Sequence, residues 1–237
     1  MLVTCTTLWL PKDGNTQDEY EDAAYPLNFS ETADQAEFRC AVADGATETS
    51  FSGLWANLLV RAHVYEEQLE ESRKKWKAAI PSEDQPWYVE EKAQAGAYAA
   101  LVGLSIHADG TWDCEAVGDS CLIHIRSKKI LQSFPLTSAN EFNNSPTLIC
   151  SVENPMSDVE FLTLKGEWQA GDQFLLLTDA IARWVLDQSE NELNRVCDLK
   201  NETDLREFSN QQRAVLGEDG RSRLHNDDIT IMKVDVN

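Results

Sequence analysis

Three short apolar runs, Trp112 to Val117, Cys121 to Arg126 and Ile130 to Phe134, follow one another with little more than turn residues around and between them, Asp109-Gly110 and Gly118-Asp119 among these. Connections of two or three residues leave no room for a crossover helix, so the spacing predicts an antiparallel meander. Upstream, Phe38-Arg39-Cys40-Ala41-Val42-Ala43 reads as a buried strand cut off by Asp44-Gly45. Downstream, Val159 to Leu164 and Phe174 to Thr178 read as strands with the Ala170-Gly171-Asp172 turn between them, and the chain closes on a strand from Ile229 to Val234.

Helical spacing fills the intervals. From Thr49 the residues Trp55, Leu58, Leu59, Ala62 and Leu69 share a stripe, with Thr49 or Ser50 as N-cap, and the following Arg73 to Lys77 run is a solvated face with Glu70–Lys74 and Glu71–Lys75 as i,i+4 pairs. Pro81 to Gln85 breaks the pattern, and propensity makes Ala93 to Ile106 a helix. Helices are also expected over Ile181 to Leu186, Glu190 to Cys197 and Asp204 to Leu216, whereas Thr137 to Pro155 is a long polar connection. With no internal repeat and no composition shift, residues 1–237 read as one domain of mixed strands and helices.

The charge narrows the function. Twenty Lys and Arg against 41 Asp and Glu give a net −21, which repels nucleic-acid backbones and anionic lipid and makes cations the natural ligands. The hydrophobic fraction of 42%, with 11 glycines added, is that of a folded domain. Met1 to Leu10 lacks basic residues and a secretory-length apolar run, and no stretch has membrane-spanning length, so a soluble cytoplasmic protein is expected. Cys5, Cys40, Cys114, Cys121, Cys150 and Cys197 are scattered without zinc-site spacing and read as reduced core residues.

Four acidic sites stand at the ends of expected strands: Asp44, Asp119, Asp179 and the Asp227-Asp228 pair. Asp and Gly are common in turns, but carboxylates converging without a Cys/His cluster suit hard oxygen-seeking cations, Mg²⁺ or Mn²⁺.

Glu21-Asp22-Ala23, Val42-Ala43-Asp44-Gly45, Ala116-Val117-Gly118-Asp119-Ser120, Gly171 through Asp179 and Asp227-Asp228-Ile229-Thr230 together resemble, in order and spacing, the metal-dependent Ser/Thr protein phosphatases of the 2C (PPM) family, bacterial-type members above all. The resemblance spans Tyr20 to Val234. It implies an α+β fold, a four-layer α-β-β-α sandwich with two central antiparallel sheets, and it turns Gly96 to Ile106 into a strand. It also implies two ions: Asp44 bridging both, the Gly45 carbonyl and Glu21 on one, Asp179 and Asp227 on the other. Asp22 and Asp228 would orient waters around them, and Asp119 with Asp179 matches a weaker third site. The implied reaction is hydrolysis of phosphoserine and phosphothreonine in proteins by metal-activated water, opposite a Ser/Thr kinase, by a monomer with no nucleic-acid or membrane partner. The alternatives are a phosphatase-like binding module without turnover and an acidic structural protein.

The chain departs from the family pattern in three places. Gln17 stands where many members carry a phosphate-holding Arg, Ala46 and Thr47 follow Gly45 where those members supply a His, and Ala180 replaces the Gly after the metal-binding Asp. Of His63, His107, His124 and His225, only His225 lies near a candidate ligand in sequence. Ser120 lacks the His partner a serine nucleophile needs.

Overall fold

The computed structural model describes residues 1–237 except 33–35, 48–50, 81–94, 144, 154–158, 189 and 218–219. Its strands are β1 (Leu2–Leu10), β2 (Ala23–Tyr25), β3 (Asn28–Thr32), β4 (Glu37–Gly45), β5 (Tyr98–His107), β6 (Thr111–Val117), β7 (Cys121–Arg126), β8 (Lys129–Phe134), β9 (Ile149–Cys150), β10 (Leu162–Glu167), β11 (Asp172–Leu177) and β12 (Ile229–Val236). The helices are α1 (Ser52–Tyr65), α2 (Leu69–Ala79), α3 (Asp179–Asp187), α4 (Glu190–Cys197) and α5 (Glu202–Arg213). One sheet runs β3-β1-β12-β11-β7-β8 and the other β10-β6-β5-β4-β2 with β9 against β5. The pairings are antiparallel.

The layering follows from strands that are apolar on both faces. In β4, Cys40 and Val42 point into the core between the sheets, whereas Ala41 and Ala43 face Trp55, Leu59 and Val60 of α1. In β11, Phe174 and Leu176 join the inter-sheet core while Leu175 and Leu177 face Ile181 and Trp184 of α3 and Phe208 of α5. Successive side chains leave opposite faces of a strand, so burial of both sets demands a helical layer outside each sheet. The result is the expected α-β-β-α sandwich. Each large side chain buried this way stabilises the fold by about 1.5–3 kcal/mol.

Several local expectations are corrected. The meander does not stay in one sheet: β6 pairs with β5 and β10, β7 with β8 and β11, so the chain crosses between sheets at Gly118-Asp119-Ser120. Gly118, at φ +93° and with Ala100 Cβ 2.6 Å from where its own Cβ would stand, makes the crossing. Propensity alone makes the segment from Ala93 helical, but from Tyr98 it is β5, the strand that the resemblance implies, buried on both faces; residues 93–94 lie outside the described set. On Gly103 of β5 a Cβ would stand 2.4 Å from the His63 ring, so the missing side chain seats α1.

The helix expected from Thr49 starts at Ser52 behind Phe51, in the left-handed region, and breaks at Glu66 (φ 55°) into α1 and α2; the expected caps Thr49 and Ser50 lie outside the described residues. Lys74 pairs with Glu71 and Lys75 with Glu67, not with the expected i,i+4 partners. β10 starts at Leu162 instead of Val159, and the helix expected from Asp204 runs from Glu202 to Arg213. β1, β2 and β3 had no counterpart in the sequence reading; β1 alternates Val3 and Cys5 toward the inter-sheet core with Leu8 and Leu10 toward the helices. All six cysteines are free thiols, five of them buried, and burial pushes Cys5 and Cys121 up to about 12.

Candidate metal centre

The expected ligands sit at the strand ends of one edge of the sandwich. Asp44 is the penultimate residue of β4, and Glu21-Asp22 directly precede its partner β2, where Ala23 pairs with Ala43. Asp179 opens α3 just past β11, and Asp227-Asp228 directly precede the neighbouring β12. Asp119 occupies the crossing between the sheets. Hydrogen bonds join the halves: the Thr230 hydroxyl donates to Asp22 Oδ2 and the Glu21 amide to Asp228 Oδ2, both at 2.8 Å.

A hydrogen-bond frame fixes these acids. Asp228 is buried and accepts from the Lys12 amide on Oδ1 and the Glu21 amide on Oδ2, both at 2.8 Å. The Glu21 carboxylate in turn accepts from Ser52 Oγ at the start of α1. Thr178 Oγ1 accepts from the Thr230 amide at 2.9 Å, and the Tyr20 hydroxyl shares a short hydrogen bond with Thr230 Oγ1. Asp227 Oδ1 accepts from the Asp228 amide, and its carbonyl accepts from the largely buried Arg213 guanidinium at 2.9 Å. Gly45 fits because a Cβ there would meet the Glu21 carbonyl oxygen at 2.5 Å and the Ser52 carbonyl carbon at 2.9 Å.

Electrostatically the centre is an uncompensated cluster of negative charge. Burial, then the charges of Asp22, Asp179, Asp119 and Asp227, push Asp44 well above the usual carboxylate range. Burial and the neighbouring Asp228 and Asp179 do the same to Asp22, against its threonine hydrogen bonds. Asp179 is raised to about 7 by burial and by Asp119 and Asp227, and Asp119 to about 6 by burial and Asp227. Among the described residues no three His, Cys, Asp or Glu side chains close around a single point as a ready-made cage. An all-oxygen set of mutually repelling carboxylates, open to water, fits hard divalent cations, which keep several waters and take one or two carboxylates each.

The comparisons with known proteins fit this geometry. The family model described as Protein phosphatase 2C matches residues 15–227. The chain belongs to the protein phosphatase 2C family. The family makes this phosphatase a metal-dependent enzyme acting on phosphoserine and phosphothreonine in proteins, and the enzyme reading prevails over the binding-module and structural ones. Its fold is that of the photosystem II phosphatase PBCP (TM-score 0.67, 15% identity, 99% of each chain covered). It is also that of the Mycobacterium tuberculosis serine/threonine phosphatase PstP/Ppp (TM-score 0.64, 14% identity, all of each chain). A PstP catalytic domain solved with two manganese ions matches at TM-score 0.59 and 15% identity, over 99% of this chain and 100% of that one. No curated protein matches the chain significantly.

Sequence reasoning about this phosphatase missed the framing residues Lys12, Tyr20 and Ser52. Lys12 also brings its ammonium to Thr47 Oγ1 at 3.2 Å, in the loop directly after Gly45. Gln17 is exposed on a 3₁₀ turn. Three histidines are tied elsewhere: His63 Nδ1 to Glu115 at 2.7 Å, His107 to Asp113 at 2.7 Å, and His124 to Asp172 at 2.8 Å. Of the Thr137 to Pro155 connection, Glu141, Asn143, Pro146 and Thr147 line a cavity of about 400 Å³ beside Asp119. Another, of about 670 Å³, begins at Asp22 and Thr230 and runs to Arg61, which lies over the Tyr25 ring. The pattern-breaking stretch from Pro81 to Gln85 lies outside the described residues.

Proposed function

We propose that residues 1–237 form a single catalytic domain in which two Mg²⁺ or Mn²⁺ ions are held at this edge, Asp44 bridging both. The Gly45 carbonyl and Glu21 complete one site, Asp179 and Asp227 the other, with Asp119 and Asp179 offering a weaker third. Ions bound there supply an activated water and neutralise the phosphoryl oxygens. The chain's own residues do the positioning. Asp228 holds the Glu21 amide, Ser52 steadies the Glu21 carboxylate, and Thr230 aims the Asp22 carboxylate toward the solvent shell of the ions. The observation that carries the reading is the gathering of Glu21, Asp22, Asp44, Asp119, Asp179, Asp227 and Asp228 at strand ends along one edge, tied together by the Glu21–Asp228 and Thr230–Asp22 hydrogen bonds.

The substrate is a phosphoprotein; the enzyme works as a cytoplasmic monomer opposite a Ser/Thr kinase, away from nucleic acid and membrane. Two facts support that setting. The net charge of −21 opposes polyanions, and among the described residues no helix is long and apolar enough to cross a membrane. The test is hydrolysis of an aryl phosphate and a phosphothreonine peptide with EDTA, Mg²⁺ and Mn²⁺ in parallel, for the native chain and for Asp44→Asn and Asp227→Asn. Turnover should require metal and fall at least about a hundredfold in each variant. Unchanged metal-dependent turnover in both variants would end the assignment.

A further inference from the structure

One cavity runs against the charge of the whole molecule. It is about 450 Å³ and lies between α3, the 3₁₀ turn at Ala139–Glu141 and the segment that returns from α5 to β12. Among the described residues nine line it, three of them arginines, Arg183, Arg221 and Arg223, with His225 beside them and Asp187 as the one carboxylate of that described set. That gathering occurs in a chain where Lys and Arg together number 20 of 237.

The cavity is adjacent to the metal centre along both of its walls. Arg183 follows Asp179 by four residues on α3, so the two side chains share a helix face about 6 Å apart along the axis. Arg223 and His225 precede Asp227 by four and two residues. The returning segment is folded back by its own backbone. The Gly217 amide donates to the Arg221 carbonyl at 2.8 Å, the Arg223 amide to Val215 at 2.9 Å, and Ser222 Oγ to the Arg213 carbonyl at 2.8 Å. Arg221 and Arg223 are therefore carried on a stretch held back against Arg213 and Val215, and they line the cavity together with Arg183 of α3.

We propose that this arginine-lined cavity is an anion subsite that takes a second acidic or phosphorylated side chain of the phosphopeptide whose reacting phosphate lies at the metal centre. Guanidinium groups match carboxylate and phosphate oxygens with paired donors. A chain of net −21 otherwise repels acidic peptides, so a local reversal of sign both recruits and orients them. An extended peptide advances about 3.3 Å per residue, which places the second anion roughly two to four residues from the phosphorylated one. The proposal rests on the phosphatase reading and adds a preference within it.

The test compares three substrates: an aryl phosphate, a phosphothreonine peptide with neutral flanks, and the same peptide with a second phosphothreonine three residues away. For the Arg183→Ala/Arg223→Ala double variant, kcat/KM for the doubly phosphorylated peptide should fall roughly three- to tenfold, with the other two substrates unchanged. Arg183→Lys/Arg223→Lys should retain most of the preference. In the native protein, raising salt should weaken only the doubly phosphorylated substrate, which decides the matter even where the alanine variant is poorly folded. A native enzyme that shows no preference, or a salt response equal for both peptides, overturns the subsite. Absence of metal-dependent aryl phosphate hydrolysis would instead overturn the phosphatase reading beneath it.

Discussion

Replacing Gly45 by Ala tests whether the backbone itself is part of the metal centre. The added Cβ would stand 2.5 Å from the Glu21 carbonyl oxygen and 2.9 Å from the Ser52 carbonyl carbon, where real Cβ atoms keep at least 3.0 Å. Something must therefore move by at least about 0.5 Å. Glu21 is the expected mover, yet its amide is held on Asp228 at 2.8 Å and its carboxylate on Ser52. Overpacking of this kind costs about 1–3 kcal/mol, or roughly 2–12 °C in Tm at this chain length. Displacing a ligand by a large fraction of an ångström costs on the order of a hundredfold in turnover. Gly53→Ala is the control. Its Cβ would meet the Tyr20 carbonyl at 3.2 Å and Glu21 Cα at 3.3 Å, contacts relieved by a few tenths of an ångström. Ala is also the better helix former by up to about 1 kcal/mol, so the net change should stay within about 1 kcal/mol. The assay is thermal unfolding and aryl phosphate turnover across a Mn²⁺ titration. A Gly45→Ala protein with native Tm and native metal response would refute the close approach.

Asp228→Ala strips two backbone amides of their acceptor and should lose about 2–4 kcal/mol in urea unfolding and roughly 10–100-fold in Mn²⁺ affinity; a native metal titration would remove Asp228 from the frame. Without metal, the raised carboxylates Asp22, Asp44, Asp119 and Asp179 contribute stability that is full below their ordinary values and is lost as pH rises through their raised ones, about 6 for Asp119 and about 7 for Asp179. Mn²⁺ at a hundred times its Kd should therefore raise Tm by about 5–10 °C at pH 8 and by less at pH 5, and a shift that is absent or grows toward acid counts against the site. Asp172→Asn should cost about 3 kcal/mol in unfolding while leaving turnover of the folded enzyme intact, because Asp172 sits at the far end of β11 from the metal centre. Lys12→Ala should raise KM for aryl phosphate roughly three- to tenfold with kcat little changed, its ammonium being poised beside the loop after Gly45; an unaltered KM would show that it does not meet the phosphate.

What the sequence disclosed follows from what each signal is made of. Asp44, Asp119, Asp179 and Asp227 were legible because a strand ending in an acid beside a turn residue is a local pattern. The sandwich was legible only through the family resemblance, since β5 is apolar on both faces and carries neither the 2.0 nor the 3.6 period that separates strand from helix. β1 was missed although Val3, Cys5, Leu8 and Leu10 are all buried, because Thr residues between them blur the alternation. Crossing from β6 to β7 was read as a hairpin because Gly118-Asp119 is the same turn signature whether the chain doubles back or changes sheets. Lys12, Ser52 and Tyr20 escaped notice because their partners lie 216, 31 and 210 positions away, where no local pattern reaches.

β11 shows within one strand how the fold decides where chemistry belongs. Asp172 at its start is buried, and burial alone would raise its pKa; the Arg126 fork at 2.7 Å, the Gln169 amide and His124 outweigh that and hold it at about 2. Asp179, just past its other end, is half-buried; burial and the charges of Asp119 and Asp227 raise it to about 7. What separates the two acids is the sign of their partners. At the first, the chain supplies its own cation, and the contribution to stability persists above the ordinary carboxylate range and fades only as pH falls toward about 2. At the second, the partners are again acids, and the Asp228 amide that holds Asp227 cannot neutralise it. A rigid, negatively charged edge that the protein leaves for an external cation to neutralise is stabilised by that cation and made reactive by it in the same act.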